Sequence, residues 1–423
     1  MDRYSRELAV NGGDPVRTRP WPQWPRSTDA MLDSIRQLLL SGDWSLTGHS
    51  GRTEPLEMCF AREFAAFYET AWCVPTSSGS TAIMTVLLAL GLEPEDEVLV
   101  PGNAWVACAA AVIVLKGVPV LVDVDAKTSC MFPEDLKRKI TPKSRAILLV
   151  HQNGAIADVT TIRQVADRNG LILIEDCSHA HGAFVGTSRV GRIGHASVFS
   201  MQKTKLLSSG EGGAIITDDR LLYEKMARAR ATGRLHTFDV SLRQLQVDEG
   251  SDLVGGNFIL SEFQSAILLD RLKDLDAENR TRNENAAILA GFISQIGNLE
   301  PRVDTLAGST RVFHKFVVSL GLELMEKQSL DWYCDALTAE LGLKVSPLHV
   351  PMNRNSLLVK LGHFLPGGDS TRRRLMDAVL PECESAYGAS LSIRHYALLG
   401  TREDTLDISR AFEKVVHVVT HMS

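Results

Sequence analysis

No stretch of this chain is long and apolar enough to cross a bilayer. The longest apolar stretch, residues 105–115, stops at Lys116, well short of the roughly 18 residues a span requires. An excess of positive charge is also missing: 45 Lys and Arg face 51 Asp and Glu, a net charge of −6. No global basic field therefore exists to hold nucleic acid or an anionic membrane surface. The opening ten residues carry Asp2, Arg3, Arg6 and Glu7 where a secretory signal needs a continuous apolar core. Seven cysteines (Cys59, Cys73, Cys108, Cys130, Cys177, Cys334 and Cys383) are odd in number and include no CxxC pair, a pattern of reduced thiols rather than disulfides or a zinc site. These absences predict a soluble, cytoplasmic protein without a metal, whose partners are small molecules or copies of itself.

What is present is enough for a large core. With 423 residues, 44% of them hydrophobic and 23% charged, the chain is too apolar for disorder and long enough for two or three domains. Short apolar runs recur at 98–100, 118–124, 146–150, 171–174, 196–199 and 214–217, with helix-like segments between several of them, such as 80–90 and 160–168. Strands apolar on both faces that alternate with helices indicate an α/β fold with a mostly parallel sheet, its ligands at the carboxyl ends of the strands. The Gly- and Pro-rich opening reads as an extended arm over 1–26. A long helical pattern at 261–284 marks the boundary between a large domain, 27–270, and a smaller α+β domain, 271–423, with a strand-like run at 312–318.

Three segments carry side chains suited to chemistry. Thr76-Ser77-Ser78-Gly79-Ser80-Thr81 opens a helix, where exposed amides flanked by hydroxyls make a phosphate cradle; the same residues also read as an ordinary N-cap. Ile174-Glu175-Asp176-Cys177-Ser178-His179-Ala180-His181-Gly182 sets two acids and two histidines just past a buried strand. A carboxylate there can hold a protonated ring nitrogen, because opposite charges favour each other's ionised form; a turn with helix-capping acids is the plainer alternative. Ser200-Met201-Gln202-Lys203-Thr204-Lys205 leads into Gly210-Glu211-Gly212-Gly213. A lysine that acts as a Schiff-base nucleophile must lose its proton, which partial burial promotes. Most lysines are solvated surface groups, and the residues alone do not choose between Lys203 and Lys205. Trp105, past the strand that ends at Val100, can stack on a flat ring or simply fill the core.

In this order the segments resemble the DegT/DnrJ/StrS family of pyridoxal-phosphate (PLP) aminotransferases, which have the fold type I architecture. The family pattern of a Ser, five residues to a Lys, then Gly-Glu-Gly-Gly matches Ser200, Lys205 and 210–213, and so selects Lys205. By this resemblance Asp176 pairs with the pyridinium nitrogen, His179 lies beside the ring oxygen, Gly79, Ser80 and Ser200 hold the phosphate, and Trp105 covers the ring. Gly256-Asn257 resembles the segment that reaches a partner subunit's cofactor, which implies a homodimer with shared active sites. Many members carry an Arg two residues after that Asn; here the place is taken by Ile259.

Residues 8–13, 178–183 and 260–263 look most like the glutamine-dependent aminotransferases of aminocyclitol antibiotic biosynthesis. The resemblance thus implies transfer from L-glutamine, or glutamate, to a keto-cyclitol or keto-sugar such as scyllo-inosose. Lys205 would hold PLP covalently and then move the substrate proton, while Asp176 keeps the ring protonated. His349, Arg394, His395, Trp44 and Thr47 are candidates for substrate contacts, because polyols need directional donors and a donor carboxylate needs a cation. Two alternatives share the fold. A 3-amino-5-hydroxybenzoate-type synthase keeps the lysine, whereas dehydratases acting at the third sugar carbon replace it with histidine, so Lys205 counts against them. A non-catalytic sensor fits the joint presence of Lys205, Asp176 and the phosphate motif poorly, and a nucleotide-binding protein lacks its GxGxxG or GKS/T loop.

Overall fold

The computed structural model describes residues 7–421 apart from 52, 240, 243, 361–364 and 366; the first six residues of the expected arm therefore lie outside the described residues. The apolar runs form one seven-stranded sheet: β1 (Trp72–Thr76), β2 (Glu97–Pro101), β3 (Val118–Val122), β4 (Ser144–Val150), β5 (Ile172–Asp176), β6 (Ala196–Ser200) and β7 (Gly213–Thr217). Their spatial order is β1-β7-β6-β5-β4-β2-β3. The pairs from β3 across to β6 are parallel, and β7 runs against both of its neighbours. Every residue of β2, β3 and β7 is buried. Helices such as α1 (Gly79–Ala89) and α2 (Val159–Arg168) cover the faces, so the strands read as unbroken apolar runs rather than as alternating ones.

β1 is the strand that sequence patterning does not reveal, because Pro75 in its middle argues against a ladder position. The strand lies at the sheet edge with Pro75 opposite Ala214, where a missing N–H is tolerated. The long helical pattern at 261–284 is not one helix either. It divides into α3 (Glu262–Arg271), a 3-10 turn at Leu272–Asp274, and α4 (Leu275–Ile293). Leu268, Leu272 and Leu275 stay buried through the turn, so the apolar face continues and its periodicity hides the interruption.

A second sheet follows: β8 (Leu299–Pro301), β9 (Lys315–Leu320), β10 (Ser346–Pro347) and β11 (Ser390–Arg394), in the order β8-β9-β11-β10 and antiparallel throughout. Its core is shared with α4 and the helix α5 (Arg402–His421). Within the strand-like run at 312–318, Val312 and Phe313 are buried but precede the ladder, which begins at Lys315. Beyond β10, Met352, Leu375, Leu380 and Cys383 join the core of the first sheet. The N-terminal segment crosses the second core. Leu8 is fully buried there, and Arg17 is held between Asp404 (2.7 Å) and Asp407 (2.8 Å) of α5. Farther along, the Trp24 indole donates to the carbonyl of Lys203 at 2.9 Å, bracing the loop after β6 from behind.

Candidate active site

The carboxyl ends of β4, β5 and β6, the segment after β2, the start of α1 and the adjoining ends of β9 and β11 enclose a cavity of about 500 Å³. This is the place where an open α/β sheet presents ligand groups. Its wall includes Gly79, Ser80, Trp105, Asp176, His179, Ser200, Lys205, His349 and Arg394.

At the start of α1, Ser78 Oγ accepts from the Thr81 amide (3.1 Å) while the Ser78 amide donates to Thr81 Oγ1 (2.9 Å). Ser78 and Thr81 cap the helix, and the first-turn amides of Gly79 and Ser80, which have no helical acceptor, are left at the cavity. Glycine is required at 79 because a Cβ there would lie 2.6 Å from Ser200 Cβ; its absence lets the helix start sit against the end of β6.

On β5, alternation of side chains sends adjacent carboxylates to opposite faces. Asp176 faces the cavity, where Oδ1 accepts from the Ser178 amide (2.9 Å) and Oδ2 accepts from the Cys108 thiol (3.8 Å). Glu175 points away and is buried, and its oxygens accept from the amides of Gly191 (3.2 Å), Ile193 (2.9 Å) and Gly194 and from His151 Nε2 (3.0 Å). His151 Nδ1 accepts from the Ala157 amide. The nearby His151, Glu175 and Cys177 have metal-binding side chains within 4.8 Å of one another, but the backbone occupies the oxygens and the ring nitrogen, making this a structural pin.

The loop after β6 separates the two candidate lysines. The Lys203 amide bonds to the Gly210 carbonyl and the Lys205 amide to the Gln202 carbonyl, both at 2.8 Å. The Gln202 carboxamide accepts from the Thr204 amide and hydroxyl, again at 2.8 Å. In this turn Lys203 is exposed and Lys205 lies on the cavity wall. The Lys205 amine makes no hydrogen bond or ion pair among the described residues. Burial pulls its pKa down to about 8, opposed by the charge of Asp176. Burial, reinforced by Lys205, also keeps His179 neutral, and its Nδ1 accepts from the Asn153 amide at 3.3 Å.

The remaining candidates divide. His349 faces Trp105 at 5.5 Å between ring centroids and is held neutral, its pKa pulled to about 3 by burial and then by Lys315. Arg394 reaches the cavity from the end of β11. His395, the next residue, is buried behind the wall and packs on Trp24 at 4.6 Å. Trp44, Thr47 and Asn257 are exposed and line no part of this cavity. Trp44 donates to the Leu38 carbonyl, and Asn257 bridges to Ala231. The structure also adds residues that motif reading passes over: Cys108 beneath Asp176, His314, and Lys315. His314 stacks on His179 at 4.0 Å and donates to the carbonyl of Thr204 at 3.2 Å. The His-Lys pair interrupting an apolar run was the available signal.

Comparison with known proteins agrees with this geometry. Residues 27–355 match the DegT/DnrJ/EryC1/StrS aminotransferase family. Over 420 residues the chain is 39% identical to an L-glutamine:2-deoxy-scyllo-inosose aminotransferase of Streptomyces kanamyceticus, covering 98% of each chain. Over 422 residues it is 38% identical to an L-glutamine:scyllo-inosose aminotransferase of Streptomyces griseus, covering 98% of this chain and 99% of that one. Among solved structures, a 3-amino-5-hydroxybenzoic acid synthase superposes with a TM-score of 0.82 and 25% identity, covering 96% of this chain and all of the other. The match spans both sheets and every wall of the cavity, and on that ground the chain belongs to the DegT/DnrJ/EryC1/StrS aminotransferase family.

Proposed function

We propose that this aminotransferase uses PLP to move an amino group from L-glutamine, or glutamate, to a keto-cyclitol or keto-sugar such as scyllo-inosose, as a homodimer, in aminocyclitol antibiotic biosynthesis. The observation that carries the reading is the convergence on one cavity of the partnerless Lys205 amine, the Asp176 carboxylate and the open helix start at Gly79 and Ser80. These residues fit the coenzyme. The amides of Gly79 and Ser80, with the Ser200 hydroxyl beside them, suit a phosphate; Asp176 suits a protonated ring nitrogen; and the exposed Trp105 indole suits a ring face.

When bound, PLP supplies an electron sink for the carbanion left by proton removal from the donor. Lys205 holds the coenzyme through Nζ and later moves the substrate proton at the same atom. A pKa of about 8 keeps both protonation states of that amine accessible near neutral pH. Asp176, fixed by the Ser178 amide and the Cys108 thiol, keeps the ring nitrogen protonated. Neutral His179, oriented through Nδ1 by Asn153, offers its other ring nitrogen as a donor to the ring oxygen.

The donor and acceptor rest on the activities for which relatives at 38–39% identity are named. The synthase alternative rests on a likeness at 25% identity, and Lys205 itself weighs against a dehydratase. The shared site is supported by the exposure of Asn257, Trp44 and Thr47 away from their own cavity, which leaves them available to a second subunit's site. Borohydride reduction of the PLP-loaded protein followed by peptide mapping tests the central assignment. The coenzyme label is expected on Lys205, and Lys205→Ala should abolish turnover of L-glutamine with scyllo-inosose. A label on Lys203, or undiminished turnover, overturns the reading.

A further inference from the structure

Lys315 and Arg394 are direct cross-strand partners, placed opposite each other where β9 pairs with β11. Both line the cavity that holds Lys205. Like charges set opposite each other in a sheet repel, and removal from water adds to the cost. Most other buried cations of the chain have a carboxylate partner, Arg311 being held instead by the carbonyls of Arg302 and Asp304. Arg17 has Asp404 and Asp407, Arg230 has Glu57, and Arg271 and Arg282 share Glu278. Neither Lys315 nor Arg394 has an ion pair among the described residues. The other groups on the wall form no ion pair with them either: His179, His314 and His349 are held neutral by burial, and the carboxylates of Asp176 and Glu211, which share the wall, bond to neither cation among the described residues.

Two adjacent, uncompensated cations in a cavity wall make a site for an anion. We propose that Lys315 and Arg394 together bind the α-carboxylate of the amino donor. This rests on the function proposed above and extends it to a donor subsite. The planar guanidinium of Arg394 can engage both carboxylate oxygens, and the Lys315 ammonium adds a compact point charge. The phosphate cradle belongs to α1 on the first sheet, whereas this pair belongs to the second sheet, so each sheet contributes one anion site. Of the two substrates in the reading, the polyol ketone is uncharged, and the donor alone brings a carboxylate next to the carbon that loses its proton. Lys205 and the pair lie within electrostatic reach of one another, as a clamp on that neighbouring carboxylate requires.

The test compares L-glutamine with L-glutamine α-amide, which lacks the carboxylate, on the PLP-loaded enzyme. Lys315→Met should raise KM for L-glutamine by about 10- to 100-fold and leave that for the amide within about twofold. Lys315→Arg should recover most of the loss, and PLP affinity, measured by fluorescence titration, should be unchanged. Equal damage to both donors would make Lys315 a structural residue. A fall in PLP affinity with donor discrimination intact would assign the pair to the coenzyme phosphate. Either result overturns the proposal. Calorimetric titration of glutaramate, the donor without its amine, separates this proposal from the functional reading. Binding that weakens about tenfold or more in Lys315→Met supports the clamp even if no ketone is aminated, and binding equal in both proteins ends it.

Discussion

Glu175 and Asp176 are consecutive residues of one strand and end in opposite circumstances. Glu175 is enclosed by three backbone amides and His151, and although burial alone would raise its pKa, those partners lower it overall. Asp176 has one amide, one thiol and an open side toward Lys205. A buried carboxylate whose acceptor positions are filled by its own chain has a structural role, because any ligand would first have to break those bonds. One with acceptor capacity left over, facing a cation across a cavity, retains the capacity for function. The difference lies in hydrogen-bond satisfaction and not in burial.

The sharpest way to break this comparison is to neutralise each acid in turn. Asp176→Asn should leave folding nearly intact and lower turnover by about 10³-fold, roughly 4 kcal/mol of transition-state stabilisation, because the ring nitrogen loses its anionic partner. Glu175→Gln should do the reverse. It turns an NH₂ group toward donors that have no other acceptor, costing about 3 kcal/mol of folding stability, while correctly folded protein keeps turnover within a few-fold. Urea unfolding and steady-state kinetics on both variants decide the matter. Equal stability losses would mean that Asp176 is also a pin, and a catalytic loss in folded Glu175→Gln would mean that the two faces of β5 are coupled.

Much of this was legible in the sequence because it depends on local rules. Six of the sheet's strands announce themselves as apolar runs, since burial on both faces removes polar positions from them. The cap at Ser78, the strand-end position of Asp176 and the glycine run after Lys205 likewise follow from short-range chemistry. What could not be read depends on register and packing. Lys203 and Lys205 are two residues apart in a polar loop, and only the turn closed by Gly210 and Gln202 decides which one faces the cavity. His395 reads as well as Arg394 for a substrate contact, yet the chain turns just past β11 and buries it behind the wall. Lys315 looks like a blemish in an apolar run until the pairing of β9 with β11 sets it opposite Arg394.

That cation pair allows a smaller test of the same contrast between satisfied and unsatisfied groups. Burial, followed by the charges of Arg394 and Lys205, pulls Lys315 down to about 8 from its ordinary 10.5. Between those values the unfolded chain keeps a proton that the folded chain has released, so this group's contribution to stability rises with pH across the window. Buried cysteines such as Cys73 and Cys177, raised mainly by burial, push the other way, because the unfolded chain ionises them first. The useful quantity is therefore the difference between wild type and Lys315→Met, in which the cysteine contributions cancel. Without ligand, the variant should be the more stable protein by about 2 kcal/mol below pH 8, with the gap closing toward pH 10.5 in denaturant titrations. Saturating glutaramate should shrink or reverse the gap at pH 7, because only wild type then has an anion between its two cations. A gap that ignores both pH and glutaramate would place Lys315 with Glu175, as a group already satisfied by the fold.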